Sequence, residues 1–560
     1  MYVRRIQRRN RDGSVVGYLQ LAHNERNERG NSVARVLASL GREDQLDRAA
    51  LSRLVASLSR FLEPGEALEA GAPAGFSFLG AVEQGGSHVI GSLWDELGIG
   101  RALGRASGGR RFQRSVERAV FAMVCHRCLE PGSKLACTRW AHTKVHLPGV
   151  PEVDKDDLYA AMDFLLANSE RVQEAVFFSV ANLLNTEVDV IFFDTTSTYF
   201  EIEHEDDDED DPDRPEAGHR RFGHSKDHRP DRPQVVIGLA VTREGIPVRC
   251  WVWPGNTSDQ TVVEQIKTDL GGWKLGRVLC VVDSGFSAED NLRILQRTGG
   301  HYIAGMKLRS GTREAREALT RPGRYKTVRD NLDVKDITIG DGEARERYVV
   351  CRNPREAERD QARRDKAITR LETELADLHQ QTGKAHHKKT CELRAHPTLG
   401  RYLRQTKTGK LAIDRAKITD EQRLDGKFLL RTSDDTLSAE DVALGYKNLL
   451  EAERAFHTLK GTLDLRPVYH RKEDRIRSHV LICFLALTIV RVCERRTDQT
   501  WPTIRDQLWH IQLGRFRSTD GDFEQRTELT AEQRALLANL GVPEPPRLGH
   551  ITPTPATTSA

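Results

Sequence analysis

The sequence predicts an α/β fold, on three observations. Two near-continuous apolar runs, residues 188–193 and 278–282, read as strands buried on both faces, and each runs into a lone aspartate, Asp194 and Asp283. Around them the pattern alternates: strand-like segments at 192–193, 235–241 and 246–253 precede a helix at 261–270, the strand before Asp283, a helix at 288–296 and a strand at 301–306. Three antiparallel strands followed by alternating helix and strand give the order of a ribonuclease-H-like sheet. The third observation is the stretch between Met306 and Ser438, too long to be a loop, after which a helix at 446–460 would complete the core.

The elements follow in order. Residues 1–65 read as an arm made of a hairpin around 13–21 and a helix at 46–62. Residues 66–185 form a mainly helical N-terminal region, on the apolar spacing within 115–121 and 157–166. The core occupies 186–310 and 437–495, with Glu244 and Gly245 marking the turn between its second and third strands. The insertion, 311–436, has strand-like runs at 337–339, 347–351 and 428–432, which make it a β-rich subdomain. It also holds a charged helix at 361–379, whose Ile368, Leu371, Leu375 and Leu378 stripe is too short for a dimerising coiled coil and suits local core. Residues 496–560 turn polar, and the Pro/Thr-rich end from 542 reads as a disordered tail because its composition builds no core.

At 560 residues the chain exceeds a single core, so several domains are expected. Charged residues make up 30% yet the net charge is only +3, so the total does not mark a nucleic-acid binder. The distribution is more telling: Arg4, Arg5, Arg8, Arg9 and Arg11 open the chain, and an acidic run spans 201–213. That run, which begins seven residues after Asp194, reads as a solvated loop, or as an internal mimic of a polyanion. Nine scattered cysteines give no disulfide framework, and Cys125 and Cys128 fall in an apolar helical stretch with no second pair at zinc-ligand spacing. No apolar leader opens the sequence, and the longest apolar run, 480–490, is shorter than the roughly 20 residues of a membrane span. A cytoplasmic, reduced protein with no membrane partner is expected.

If the two Asp-bearing strands are neighbours, Asp194 and Asp283 form a paired-carboxylate cation site, and carboxylates suit hard ions such as Mg2+ or Mn2+. A third carboxylate is offered at 446–460. Tyr446, Glu453 and Lys460 are spaced i, i+7, i+14, so on one helix they drift only about 20° per step and share a face. Acid and base would be roughly 10 Å apart, too far for an ion pair, which frees Lys460 for a phosphate. Glu201 and Glu451 miss this spacing and read as surface charges, His457 as packing, and Asn256 and Asp259 as caps of the next helix.

These residues resemble the DDE-type insertion-sequence transposases, whose glutamate lies in a Tyr-x2-Arg-x3-Glu-x6-Lys signature. Asp194 and Asp283 resemble the catalytic aspartates, Glu453 the glutamate, and Tyr446 and Lys460 the signature Tyr and Lys, while the arginine position holds Leu449. Further likeness lies in residues 223–231, 253–259 and 466–470, and the resemblance covers about 185–490. It implies metal-dependent cleavage and strand transfer at terminal inverted repeats, through two divalent cations, Mg2+ or Mn2+, held by Asp194, Asp283 and Glu453. Tyr446, Lys460, Lys226, His228 and Arg229 would contact DNA. The implied partner is double-stranded DNA, both element ends and target, bound by a homodimer in a nucleoid-associated setting. Residues 66–185 would be a DNA-end-binding region, although a packing domain reads equally well. Relatives stack an aromatic of the insertion on a flipped base; with no Trp between Trp273 and Trp501, Tyr325, Tyr348 or Tyr402 would have to serve. A metal nuclease or resolvase on the same fold, and a catalytically silent DNA-binding descendant, stand as alternatives.

Overall fold

The computed structural model describes residues 2–10, 13–26, 32–47, 50–51, 54, 77–108, 115–150, 152–183, 189–206, 218–273, 278–309, 312–342, 345–518 and 521–553. They fall into two compact units, one of residues 1–80, 515–524 and 550–560, the other of 81–514 and 525–549.

In the first unit, β1 (Tyr2–Arg9), β2 (Val15–Arg26) and β3 (Ser32–Arg42) form an antiparallel sheet in that order. Gly13, at φ 87°, occupies left-handed space that favours glycine and lets the chain reverse between β1 and β2. The expected hairpin is thus extended by a third strand, and the expected helix at 46–62 lies mostly outside the described residues. β4 (Ser77–Glu83) follows.

The second unit opens with helices. Val116–Leu129 is capped by Ser115, whose hydroxyl accepts from Arg118 N, and it is buried continuously from Ala119 to Cys128, so the Cys125 and Cys128 thiols sit in helix core. Lys155–Ala167 opens on a capping box of Asp154 and Asp157. Glu473–Thr497 is long and apolar enough by composition to cross a membrane, but most of it is buried inside the protein, which makes it a core helix.

Next come β5 (Val190–Tyr199), β6 (Gln234–Thr242), β7 (Pro247–Pro254), β8 (Leu279–Val282), β9 (His301–Met306), β10 (Lys326–Arg329), β11 (Leu332–Ile339) and β12 (Glu346–Arg352). A small ribbon of β13 (Leu403–Gln405) and β14 (Leu411–Ile413) precedes β15 (Lys427–Thr432). Nine of these strands make one sheet, in the order β10-β11-β12-β15-β9-β8-β5-β6-β7. β5, β6 and β7 pair antiparallel, whereas β8 runs parallel to β5 and β9 parallel to β8. Alternate β5 residues serve opposite faces: Val190 and Phe192 join the core around the helix Glu473–Thr497, while Ile191 and Phe193 join the one around Ile266, Leu270 and Leu292. Cover on both faces explains why every residue of β6 is buried.

Four expectations are corrected. The insertion is not a separate β-rich body: β10, β11, β12 and β15 continue the core sheet, because β15 pairs antiparallel with β9. What leaves the sheet is chiefly helical, Pro354–Gln380, Gly383–Ala395 and Arg415–Gln422, around a core of Leu371, Leu375, Leu378 and Tyr402. Asp194 lies within β5 rather than at its end, since β6 goes on pairing with β5 as far as Tyr199 and Gln234. The 446–460 segment is not one helix. Ala439–Lys447 ends in a tight turn, where Leu449 N bonds Tyr446 O and Ala452 N bonds Leu449 O, then Leu450–His457 leads into a π turn at Thr458–Thr462. Tightened and widened turns advance by different angles, so the even heptad drift is lost. Finally, the C-terminal end holds β16 (Gln512–Ser518), β17 (Gly521–Arg526), a helix Ala531–Leu540 with a Thr530–Gln533 capping box, a buried Val542 and β18 (Leu548–Pro553). Order there comes from pairing in a sheet of order β18-β17-β16-β4, and 519–520 and 554–560 lie outside the described residues.

Candidate active site

Phe193 of β5 pairs with Val282 of β8, so Asp194 and Asp283 come next in register on neighbouring parallel strands. β8 stops there. Asp283 leads into the turn Ser284–Phe286, which Phe286 anchors by packing its ring 5.2 Å from that of Phe193. β5 continues with β6 alone beside it, leaving Asp194 where the sheet narrows.

The Asp194 carboxylate accepts from Thr195 N at 2.7 Å, and Lys226 Nζ stands 3.8 Å from it. Lys226 also donates to Thr195 O at 2.8 Å and Thr195 Oγ1 at 2.6 Å, and pairs with Asp259 Oδ2 at 3.1 Å. The Thr195 hydroxyl donates to Asp259 in turn. Burial pushes the Asp194 carboxyl up to about 6; Lys226 pulls it down, and the Asp283 and Asp259 charges add to the rise. Asp259 therefore belongs to this cluster and caps no helix: the next helix begins at Val263 with no side-chain cap. The signal for it was the 253–259 segment itself, whose Asp259 is brought back over Gly285 by the fold.

Tyr446 Oη donates to Asp283 Oδ1 at 3.1 Å, and its ring stacks on Phe428 at 6.0 Å. Gly305 lies under the hydroxyl, where a Cβ would collide with it. Burial and then the Asp283 charge push the Tyr446 phenol well above its ordinary value, so it stays a donor. Glu453 is exposed on Leu450–His457, and its charge reaches the same phenol. Among the described residues no three His, Cys, Asp or Glu side chains are placed to hold one ion together. Leu449, at the signature's arginine position, is buried in the core.

Lys460 donates to Asp227 Oδ1 at 2.8 Å, and Arg466 reaches Asp227 Oδ2 at 3.1 Å. Burial lowers the Lys460 ammonium below its usual range, against the pull of Asp227. Asp227 was not singled out in the sequence. Arg229 is bidentate on Asp231, at 2.8 and 2.9 Å, with its guanidinium 4.9 Å from the Tyr199 ring centre. His228 is exposed at φ 57° on the same loop. That loop is set against the 253–259 segment by two glycines: a Cβ on Gly223 would strike Gly255 O, and one on Gly255 would strike Gln234 O and Arg221 O. Gly255→Ala is expected to cost about 1–3 kcal/mol through overpacking against backbone, read as a lowered urea midpoint at unchanged m.

Other expectations resolve here. Glu205 accepts from Phe222 N and pairs with Arg221, and Asp206 pairs with Arg220, whereas Glu201 and Glu203 of the same run are exposed; residues 207–217 lie outside the described residues. His457 is exposed rather than packed, and Glu451 accepts from Arg454 at 2.6 Å. Tyr348 and Tyr402 are buried and Tyr325 half-buried with Lys335 over its ring, so none presents a free face to a base.

Residues 189–489 match the family model of the transposase DDE domain, more than half of the chain. The chain belongs to the DDE transposases. Residues 3–69 match the N-terminal domain of IS1634 family transposases, which makes it an insertion-sequence transposase, with endonuclease and strand-transfer chemistry. No curated protein matches it. Among solved structures, the cryo-EM structure of a piggyBac transposase synaptic complex with hairpin DNA is similar at 9% identity, over 74% of this transposase and 77% of that chain, with a TM-score of 0.32.

Proposed function

We propose that this transposase works by cut-and-paste at the terminal inverted repeats of its element, with two divalent cations, Mg2+ or Mn2+, held by Asp194, Asp283 and Glu453. The observation that carries the reading is the registry of Asp194 beside Asp283 on parallel neighbours where β8 ends. Strands β7-β6-β5-β8-β9, three antiparallel and then two parallel to the first, fit a ribonuclease-H-like core. The donors are all carboxylate oxygens, and Asp194 is partly buried beside two further acids, an arrangement that suits hard cations. When bound, such ions activate the attacking oxygen and stabilise the leaving one.

The side chains do the rest. Tyr446 holds Asp283 in place through its hydroxyl, and Lys226 offsets the charges of Asp194 and Asp259. Lys226, His228 and Arg229 on one loop, with Lys460, which pairs with Asp227 of that loop, and Tyr446, would meet the DNA backbone. Residues 66–185 would grip the element end, in a homodimer on double-stranded DNA at the nucleoid.

Incubating the protein with Mg2+ and linear DNA bearing the element's ends tests this. Breaks at the repeat boundaries followed by joined products are expected. Nicking of branched DNA without end preference would instead identify a resolvase-like nuclease, and binding without cleavage a silent descendant. For the loop, Lys226→Ala should reduce the log–log salt slope of DNA binding by about 1, measured by titration at several salt concentrations; an unchanged slope would place its ammonium away from phosphate.

A further inference from the structure

An ammonium has three N–H groups, and Lys226 places them on Thr195 O at 2.8 Å, Thr195 Oγ1 at 2.6 Å and Asp259 Oδ2 at 3.1 Å, with Asp194 Oδ1 3.8 Å away. The Thr195 hydroxyl gives its own proton to Asp259, which leaves its lone pairs to the ammonium. Two carboxylates, a backbone carbonyl and a hydroxyl thus converge on one positive charge. Oxygens of these kinds are the ones a hard divalent ion takes from a protein.

The backbone that carries this charge is tied down, and the side chain is not. Lys226 N donates to Ser197 Oγ at 2.9 Å, which fastens the loop to β5, and Arg229 N donates to Ser225 Oγ at 3.0 Å within the loop. The Lys226 side chain is 31% exposed. It also lines a cavity of about 340 Å³, together with Ser197, His224, Asn256 and Asp259. A flexible four-carbon stem lets the ammonium swing into that space while the loop stays in place. Like charges this close in a partly buried site repel strongly, so an ammonium beside Asp194 and a divalent ion on Asp194 exclude one another.

Given the metal site proposed above, on which this inference rests, we propose that Lys226 is a built-in cation that competes with the divalent ion for Asp194. Without the ion, its ammonium holds Asp194, Asp259 and Thr195 together and offsets the repulsion between the two acids. Loading the ion drives the ammonium out toward the cavity. The result is an order of events: the charge of Lys226 becomes available to a DNA phosphate only once the ion is in place.

The test is Mn2+ binding to the full chain without DNA, followed by the electron paramagnetic resonance signal of free Mn2+. Lys226→Met keeps the stem and removes the charge, and is expected to bind Mn2+ about tenfold more tightly than wild type, the factor for a place the lysine holds about nine-tenths of the time. A general change in field would do the same, so the position of the ammonium is read separately. Acetylation of Lys226 in the wild type, measured by mass spectrometry relative to the exposed Lys366, should rise at least about threefold when Mg2+ saturates the protein, and should ignore Mg2+ in Asp194→Asn. Mn2+ binding by Lys226→Met no tighter than wild type would overturn the proposal, as would acetylation indifferent to Mg2+ in the wild type. Wild-type Mn2+ affinity in Asp194→Ala would instead take the ion off Asp194 and overturn the metal site together with the proposal, so the two failures are told apart.

Discussion

Alanine at Asp194, Asp283 or Glu453 is expected to lower strand cleavage by at least about 10³-fold, while end binding changes by less than about twofold. The three would act as one unit, so a double variant should be no worse than the worst single one. Asp194 and Asp283 are fixed by strand register and cannot be replaced by a neighbouring side chain without slipping β5 on β8. Glu453 stands on a separate helix outside that ladder, so its assignment is the most exposed to test. Cleavage of end-bearing DNA in Mg2+, run beside a gel-shift titration, separates the two effects. Near-normal cleavage by Glu453→Ala would remove it from the site and move attention to Asp259, already joined to Asp194 through Thr195 and Lys226.

Metal-free protein should become more stable when Asp194 is replaced by Asn. The Asp194 carboxyl is raised from 3.8 to about 6 in the fold, so the folded state holds this proton more tightly than the unfolded chain. The cost of ionising it is absent below about 3.8, grows through the window up to about 6 and is fully present above that. At about 1.4 kcal/mol per pKa unit the full cost is at most about 3 kcal/mol. Urea unfolding in chelator should therefore show Asp194→Asn stabilised by about 1–3 kcal/mol well above pH 6, with the gain vanishing near pH 4. Added Mg2+ should stabilise the wild type and narrow the difference. A variant no more stable than wild type above pH 6 would mean that water reaches the Asp194 carboxylate well enough to offset its partial burial.

Much of this was legible because it is local. Uninterrupted apolar runs gave β6 and β9 nearly to the residue, and their buried character follows from cover on both faces. The 337–339, 347–351 and 428–432 strands were also visible, but which sheet would accept them was not, since an edge pairs by register across long separations. Asn448 and Leu449 carry no helix breaker, and the tight turn there leaves the apolar spacing intact, so the segment reads as one helix. Asp259 and Asp227 were hidden for another reason. Each is a loop carboxylate whose partner, Lys226 or Lys460, arrives from a different segment, so neither spacing nor propensity marks it.

β12 and β15 stay laddered down to Arg352 and Lys427, and Asn353 N bonds Gly426 O at 2.7 Å. Gly426, at φ 63°, lies so close to Asn353 and Ala357 that a side chain there would collide with them. Everything from 353 to 426 thus leaves and re-enters through a neck two strands wide. Topologically the sheet sees that whole appendage as the tip of a hairpin. A short turn, or an unrelated folded module, could be spliced in at the neck without breaking a single rung of the ladder, so the length of the appendage is free to drift while the geometry around Asp194 is held constant.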